Sequence, residues 1–279
     1  MSPYIIAFVN QKGGSGKSKT VLGIAPELAT MGRRVLVIDS DPQATVTNAI
    51  LGRGQDLVGL AEVLGAGGEP EESRPKIDDV VIRSEVFGLD VLAANFRRLS
   101  ICETELTGDS TRVAELSYAL NAMTTPYDFV LIDTPGNLGP LVMGAVGAAT
   151  HVVVVIDSGT EALEGFANLL GSLKRAAKIS NFETLGVIST RFKANTDLSN
   201  VVLNAIKQST KYRFYATVRE ATRIGSMNET KKPLSQTAKG RPEHLDFVKI
   251  AASIDTLVKN PDEINGGDRP ADSIMAANA

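Results

Sequence analysis

Cysteine is almost absent. The chain has 279 residues and one cysteine, Cys102. No disulfide can form within it, and a reducing cytoplasm is the compartment such usage fits. A lone thiol also cannot assemble a zinc or iron–sulfur site by itself. Long apolar runs are missing too. Residues 151–156, His-Val-Val-Val-Val-Ile, fall far short of the roughly 18–20 residues a membrane helix requires, and their β-branching reads as a buried strand. The first residues, Met1-Ser2-Pro3-Tyr4, carry no basic stretch before the apolar run and no cleavage site after it, so no secretory leader is expected. There is no charge excess either. A net charge of −3 argues against a globally basic nucleic-acid binder but leaves room for a local patch. No internal repeat and no sharp compositional boundary divides the chain.

What is present is ordinary globular composition, 43% hydrophobic and 22% charged, over a length able to bury a sizeable core. Four short apolar runs, residues 5–9, 34–38, 129–132 and 152–156, read as buried parallel strands, with further strands at 185–189 and 88–93. Helical patterns alternate with them. This predicts an α/β fold with a mainly parallel twisted sheet flanked by helices. In such sheets ligands sit beyond the carboxyl ends of the strands. A helix is predicted over residues 17–31, closed by Gly32 and kinked at Pro26. The Gly/Pro stretch 65–75 is expected to be a mobile polar loop. The tail 260–279, poor in large apolar residues, is expected to be disordered, leaving 1–259 as one domain.

Directly after the first strand stands Lys12-Gly13-Gly14-Ser15-Gly16-Lys17-Ser18. The common phosphate-loop pattern G-x-x-x-x-G-K-[ST] fails at one position, because Gln11 occupies the place of the first glycine. The glycines still let successive backbone N–H groups point into one concavity. The following helix adds the partial positive charge of its N-terminus, which suits a triphosphate such as ATP. Lys17 is expected to reach the outer phosphates and the Ser18 hydroxyl to ligate Mg²⁺. Two more strands end in carboxylates, in Asp39-Ser40-Asp41-Pro42-Gln43 and Asp133-Thr134-Pro135-Gly136. A carboxylate at a strand tip beside a phosphate loop is where Mg²⁺ needs a ligand. Each aspartate alone is as readily a turn or helix-cap residue. Together at neighbouring strand ends they indicate a P-loop NTPase.

These segments resemble the ParA/MinD group of deviant-Walker ATPases, and within it the ParA-like partition proteins, across about residues 4–258. Asp41-Pro42-Gln43-Ala44-Thr45, the helix from Glu161 to Leu170, and Thr217-Val218-Arg219 with Lys232-Pro233 add to the likeness. The resemblance implies roles. Lys12 matches the signature lysine that reaches across a dimer to the partner's nucleotide. Lys17 matches the phosphate-loop lysine, and with Lys12 and Asp41 forms the expected catalytic set. Ser18 and Asp133 match the Mg²⁺ site. Asp41 matches the switch I residue that positions the attacking water, Asp39 its companion, and residues 133–137 switch II. Gly13, Gly14, Ser15 and Gly16 cradle the phosphates, and Arg191, Thr217 and Val218 fall around the base. Three positions depart from the family: Lys19 stands where a threonine touching the α-phosphate is common, Asn195 where relatives have an arginine implicated in DNA binding, and Val218 where proline is frequent.

From residue 205 to 241 nine basic residues face only Glu220 and Glu229. They are Lys207, Lys211, Arg213, Arg219, Arg223, Lys231, Lys232, Lys239 and Arg241. Such concentration is the footprint of phosphate-backbone binding, and no base-reading motif accompanies it. Non-specific DNA is the expected partner, with Arg219, Arg223, Lys231 and Lys232 as contacts; a solvated face or an acidic-partner site is the plainer alternative. The resemblance further implies an ATP-dependent homodimer, a ParB-like activator and a nucleoid-associated life in the cytoplasm. Competing readings are a MinD-like or other cargo-positioning ATPase, a metabolic ligase on the same scaffold, and a binding module without hydrolysis. The tail lacks the basic amphipathic helix of membrane-targeted relatives. Met1 stands so close to the first strand that no upstream helix-turn-helix, and hence no operator binding, is expected.

Overall fold

Strands whose two faces are both apolar must be covered on both sides, and that requirement sets the architecture. The computed structural model describes residues 2–52, 56–159, 162–178, 180–193, 204 and 214–259. Among them the strands are β1 (Tyr4–Val9), β2 (Val35–Asp39), β3 (Ile82–Ser84), β4 (Leu89–Leu92), β5 (Phe129–Asp133), β6 (His151–Asp157), β7 (Glu183–Phe192) and β8 (Phe214–Arg219). The helices are α1 (Lys17–Thr30), α2 (Thr45–Leu51), α3 (Leu60–Val63), α4 (Ile77–Val80), α5 (Phe96–Gly108), α6 (Glu115–Asn121), α7 (Pro140–Ala148), α8 (Ala162–Ala176), α9 (Thr222–Thr230), α10 (Leu234–Thr237) and α11 (Pro242–Lys259).

The strands form one sheet in the order β3-β4-β2-β5-β1-β6-β7-β8. Every pairing is parallel except β3 with β4. Successive side chains go to opposite faces. Ala7, Leu36, Val130 and Val152 join the core under α5 to α8, while Ile6, Val37, Leu131 and Val153 join the core under α1, α9 and α11. Each of these side chains is wholly buried, and each large one contributes about 1.5–3 kcal/mol on burial. The predicted α/β architecture and its six strands are present. Two strands went unpredicted: β3 has only three residues and pairs antiparallel at the edge, and β8 lay inside a segment read for its charge.

Helix α1 ends as its sequence requires. Gly32 takes φ +80°, its N–H donates to the Ala29 carbonyl at 2.9 Å, and the Arg33 N–H to the Leu28 carbonyl at 3.1 Å, the paired bonds of a Schellman cap. The helix runs through Pro26 as one element, and the Pro26 carbonyl accepts from the Thr30 hydroxyl at 2.9 Å. The stretch 65–75, expected to be a mobile loop, is tied down: Arg74 pairs with Glu115 at 2.8 Å and the Gly67 N–H donates to Glu105 at 3.0 Å. The tail 260–279, Asn195, Glu161 and the cations Lys207, Lys211 and Arg213 lie outside the described residues.

Candidate functional site

The chain reverses its path around β1. Its sheet neighbours are β5 on one side and β6 on the other, so the carboxyl ends of β1, β2 and β5 open onto one crevice, where ligands bind in open α/β sheets. The loop leaving β1 enters it. Gly14 and Gly16 take φ +75° and +93°, which an L side chain adopts only under strain. Gly16 caps α1 with no side-chain hydrogen bond, leaving the first N–H groups of the helix to an anionic ligand. The loop is braced from three strands. Asn10 Nδ2 donates to the Val155 carbonyl at 2.5 Å and Asn10 Oδ1 accepts from the Lys12 N–H at 3.0 Å. The Thr190 hydroxyl, on β7, donates to the Ser15 carbonyl at 2.6 Å. The Thr134 hydroxyl, after β5, donates to the Phe8 carbonyl at 2.6 Å. Gly136 packs so closely on the loop that a Cβ there would sit 2.8 Å from Gly13 Cα.

The carboxylates follow from register. Asp39 at the end of β2 and Asp133 at the end of β5 are direct partners, and parallel strands lie about 4.8 Å apart. Both are fully buried. Burial pushes Asp39 up to about 6, against the hydrogen bonds it accepts from the Thr47 N–H at 2.7 Å and the Asp41 N–H at 3.2 Å. Asp133 is raised well above the usual carboxylate range, first by burial and then by the Asp39 charge, with Ser18 and Lys17 acting against both. Neither Asp133 oxygen has a hydrogen-bond partner among the described residues. Asp41 is half-buried, raised by burial, and accepts from the Gln43 N–H at 2.9 Å. Lys17 is 5% exposed. Burial lowers its ammonium, while Asp133 and Asp41 hold it up.

An orphaned buried carboxylate beside a serine hydroxyl and a loop of free N–H groups calls for a cation. No three His, Cys, Asp or Glu side chains form a metal cage among the described residues. That fits Mg²⁺, which is typically held by one or two protein oxygens with phosphates and waters completing the shell. Lys12 lies at the rim, its side chain 48% exposed and its ammonium 3.6 Å from Asp157 at the end of β6. Cys102 plays no part: it is buried in the core and its thiol is pushed up to about 12 by burial.

The crevice broadens into a cleft of about 1350 Å³. Its loop side comprises residues 13–20, with Asp41, Pro42, Pro135 and Asn137 beside them. Its far side comprises residues 218–222 with Gly225 and Phe247. Lys19, Arg191 and Val218 all line it, whereas Thr217 sits one position back on β8, paired with Ser189. Residue patterns had not drawn attention to Asn10, Thr190, Asp157 or Gly225. Asn10 was the most accessible of them, as a polar residue ending an apolar strand immediately before the loop.

The basic segment is partly self-neutralised. Arg219 grips Asp246 with Nε at 2.7 Å and Nη2 at 2.8 Å, and Arg223 lies 3.6 Å from Glu243. Both acids belong to α11, just beyond residue 241, where the charge count ended. Lys231, in a left-handed conformation with φ +53°, donates to the Asn48 carbonyl on α2. Lys232, Lys239 and Arg241 are exposed, with no acidic partner among the described residues.

Comparison with known proteins agrees with this geometry. The family model described as an AAA domain matches residues 3–184. The chain is 32% identical to the sporulation initiation inhibitor protein Soj of Bacillus subtilis, over 89% of this chain and 98% of that protein. It is 35% identical to the chromosome partitioning protein ParA of Caulobacter vibrioides, over 73% of this chain and 75% of that protein. Among solved structures, cobyrinic acid a,c-diamide synthase from Mycobacterium smegmatis, with bound ATP analogue and magnesium, superposes with a TM-score of 0.78 at 24% identity, covering 95% of this chain and all of that one. That likeness shows the shared fold.

Proposed function

The chain belongs to the ParA-like partition ATPase family, and from that premise we propose that it binds ATP with Mg²⁺ in the cleft, dimerises on it and hydrolyses it to position a DNA cargo. The observation that carries this reading is the register pairing of Asp39 with Asp133 beside the buried Lys17. Two clustered carboxylates and one ammonium are costly to bury without a ligand that completes the charge balance. Ser18 and Asp133 hold the Mg²⁺, which when bound neutralises charge on the outer phosphates. Lys17 does the same from the loop. Residues 13–16 cradle the phosphates with backbone N–H groups. Asp39 fixes the backbone of Asp41 and Thr47, and so aims Asp41 at the attacking water. Arg191 and Val218 border the base, with Thr217 behind them. Phosphoryl transfer needs positioning and charge neutralisation more than covalent chemistry, which this set supplies.

Lys12 completes the partner's site. Its pairing with Asp157 is half-exposed, and such pairs are weak enough to exchange. Each site is then whole only in the dimer, so ATP binding favours the closed pair and hydrolysis releases it. Sequence-independent DNA binding is carried by Lys232, Lys239 and Arg241, with Lys231 beside them; Arg219 and Arg223, already matched by acids, contribute less. A ParB-like protein is the expected activator, and the working place is the nucleoid of the cytoplasm. No helix among the described residues is long and apolar enough to cross a membrane. The test is sedimentation of native protein and Asp41→Ala with and without Mg-ATP, alongside phosphate release with and without DNA. Asp41→Ala is expected to accumulate as an ATP-bound dimer without releasing phosphate. A monomer at saturating ATP, or a native protein that releases no phosphate, rejects the reading.

A further inference from the structure

Lys19 is the second residue after Lys17, on the first turn of α1, and it is half-buried in the cleft wall. Its two neighbouring lysines face carboxylates: Lys17 sees Asp133 and Asp41, and Lys12 sees Asp157. Lys19 has no acidic partner among the described residues. Its chain crosses toward α9, where a Cβ on Gly225 would lie 3.7 Å from its Nζ. Glycine inside a helix costs about 1 kcal/mol relative to alanine; here it keeps open the space into which the ammonium projects.

The position along the cleft decides what this cation meets. Asp39, Asp41 and Asp133 mark one wall, where the metal and outer phosphates belong. Val218, Thr222 and Gly225 mark the opposite wall. A phosphate chain lying along the N-terminus of α1 from the first wall to the second passes Lys17 at its outer end and Lys19 at its inner end. We propose that Lys19 binds the inner phosphates, which nucleoside di- and triphosphates share, and so strengthens both complexes alike and slows departure of the diphosphate. This rests on the ATP reading above.

The test compares native protein, Lys19→Thr, Lys19→Arg, Gly225→Glu and Gly225→Gln. Affinities for Mg-ADP and a non-hydrolysable Mg-ATP analogue are measured by titration, and ADP dissociation by stopped flow with a fluorescent ADP. Lys19→Thr is expected to weaken both nucleotides by the same factor, about tenfold, the low end for a hydrogen bond to a charged group. ADP dissociation should quicken by a similar factor, and Lys19→Arg should retain most affinity. Gly225→Glu, which sets a carboxylate within reach of Nζ, should reproduce the loss, and Gly225→Gln should not; this pair decides the matter if Lys19→Thr fails to fold. Unchanged ADP affinity in Lys19→Thr, or a loss confined to the triphosphate analogue, overturns the proposal. A native protein that binds neither nucleotide would instead defeat the ATP reading itself.

Discussion

The two walls of the cleft are built by different means. The loop wall comes from the ends of three neighbouring strands, β1, β2 and β5, and every charged group on it stands within a few residues of a strand end. The far wall comes from β8 at the sheet edge and the helices after it. Its charges are set by contacts between distant segments, Arg219 with Asp246 and Lys231 with Asn48. Strand register therefore fixes the chemistry of the first wall. Helix docking fixes the second, where a cation counted in the sequence can already be spent on an acid brought in from another element.

The sharpest way to break this comparison is to remove one cation from each wall. Lys12→Ala is expected to lower turnover by about a thousandfold or more, the scale of a cation supplied to a phosphoryl-transfer transition state, while nucleotide binding is largely kept. Arg219→Ala, which removes a half-exposed cation paired within its own chain, should leave turnover within a few-fold of native. Steady-state phosphate release together with nucleotide titration checks both. Normal turnover in Lys12→Ala would remove the case for a shared active site.

Acid–base behaviour separates the walls in the absence of nucleotide. Asp39 is raised from 3.8 to about 6 by burial, so the folded state holds its proton more tightly than the unfolded chain does. Stability from this group is therefore greatest below pH 4 and falls as pH rises through about 6, by on the order of 3 kcal/mol. Asp133 shifts in the same direction and extends the fall upward. Asp39→Asn should flatten the slope of melting temperature between about pH 4 and 6, although it also loses one accepted hydrogen bond. Mg-ATP should recover stability in the native protein most strongly near neutral pH, where both carboxylates are charged. A native protein whose melting temperature climbs through that window relative to Asp39→Asn would contradict the assignment.

How much could be read in advance follows the same division. The buried strands announced themselves as β-branched runs, and the loop, Asp39, Asp41 and Asp133 stood at their ends, so the α/β fold and the first wall were visible residue by residue. The direct pairing of Asp39 with Asp133 was not, because strand order is a property of the sheet: β5 inserts between β2 and β1 although nearly ninety residues separate it from β2 (Asp39 to Phe129). On the far wall, Arg219 and Arg223 looked like open cations because Glu243 and Asp246 lie in the next helix along. Strand β8 was hidden by its own charge and by its place at the edge. Lys19 was legible as an oddity, and only the approach of α9 gave it a direction.

Steric tolerance should differ between the walls in the same sense. A methyl group at Gly136 would meet the backbone of Gly13 at 2.8 Å, where neither segment can yield without moving the phosphate loop. At Gly225 it would meet only the end of Lys19 at 3.7 Å, ordinary contact with a flexible chain. Gly136→Ala is expected to cost about 1–3 kcal/mol of stability, as overpacking does, and to depress nucleotide binding with it. Gly225→Ala should be neutral or slightly stabilising through helix propensity. Chemical denaturation of the two variants reads this directly, and equal costs would erase the distinction.

The smallest effect concerns the face beyond the second wall. If Lys232, Lys239 and Arg241 carry the phosphate contacts, replacing all three by alanine should reduce the slope of log affinity against log salt by about 3, near 0.9 per neutralised phosphate. The loss should be the same for unrelated duplex sequences, since nothing in the segment reads bases. Arg219→Ala with Arg223→Ala should change the slope by much less, because Asp246 and Glu243 already balance those charges. Binding isotherms between about 50 and 200 mM salt resolve such differences. Should the arginine pair carry the larger share, their ion pairs with α11 must open when DNA binds, and the division between an open and a self-neutralised half of this face would have to be redrawn.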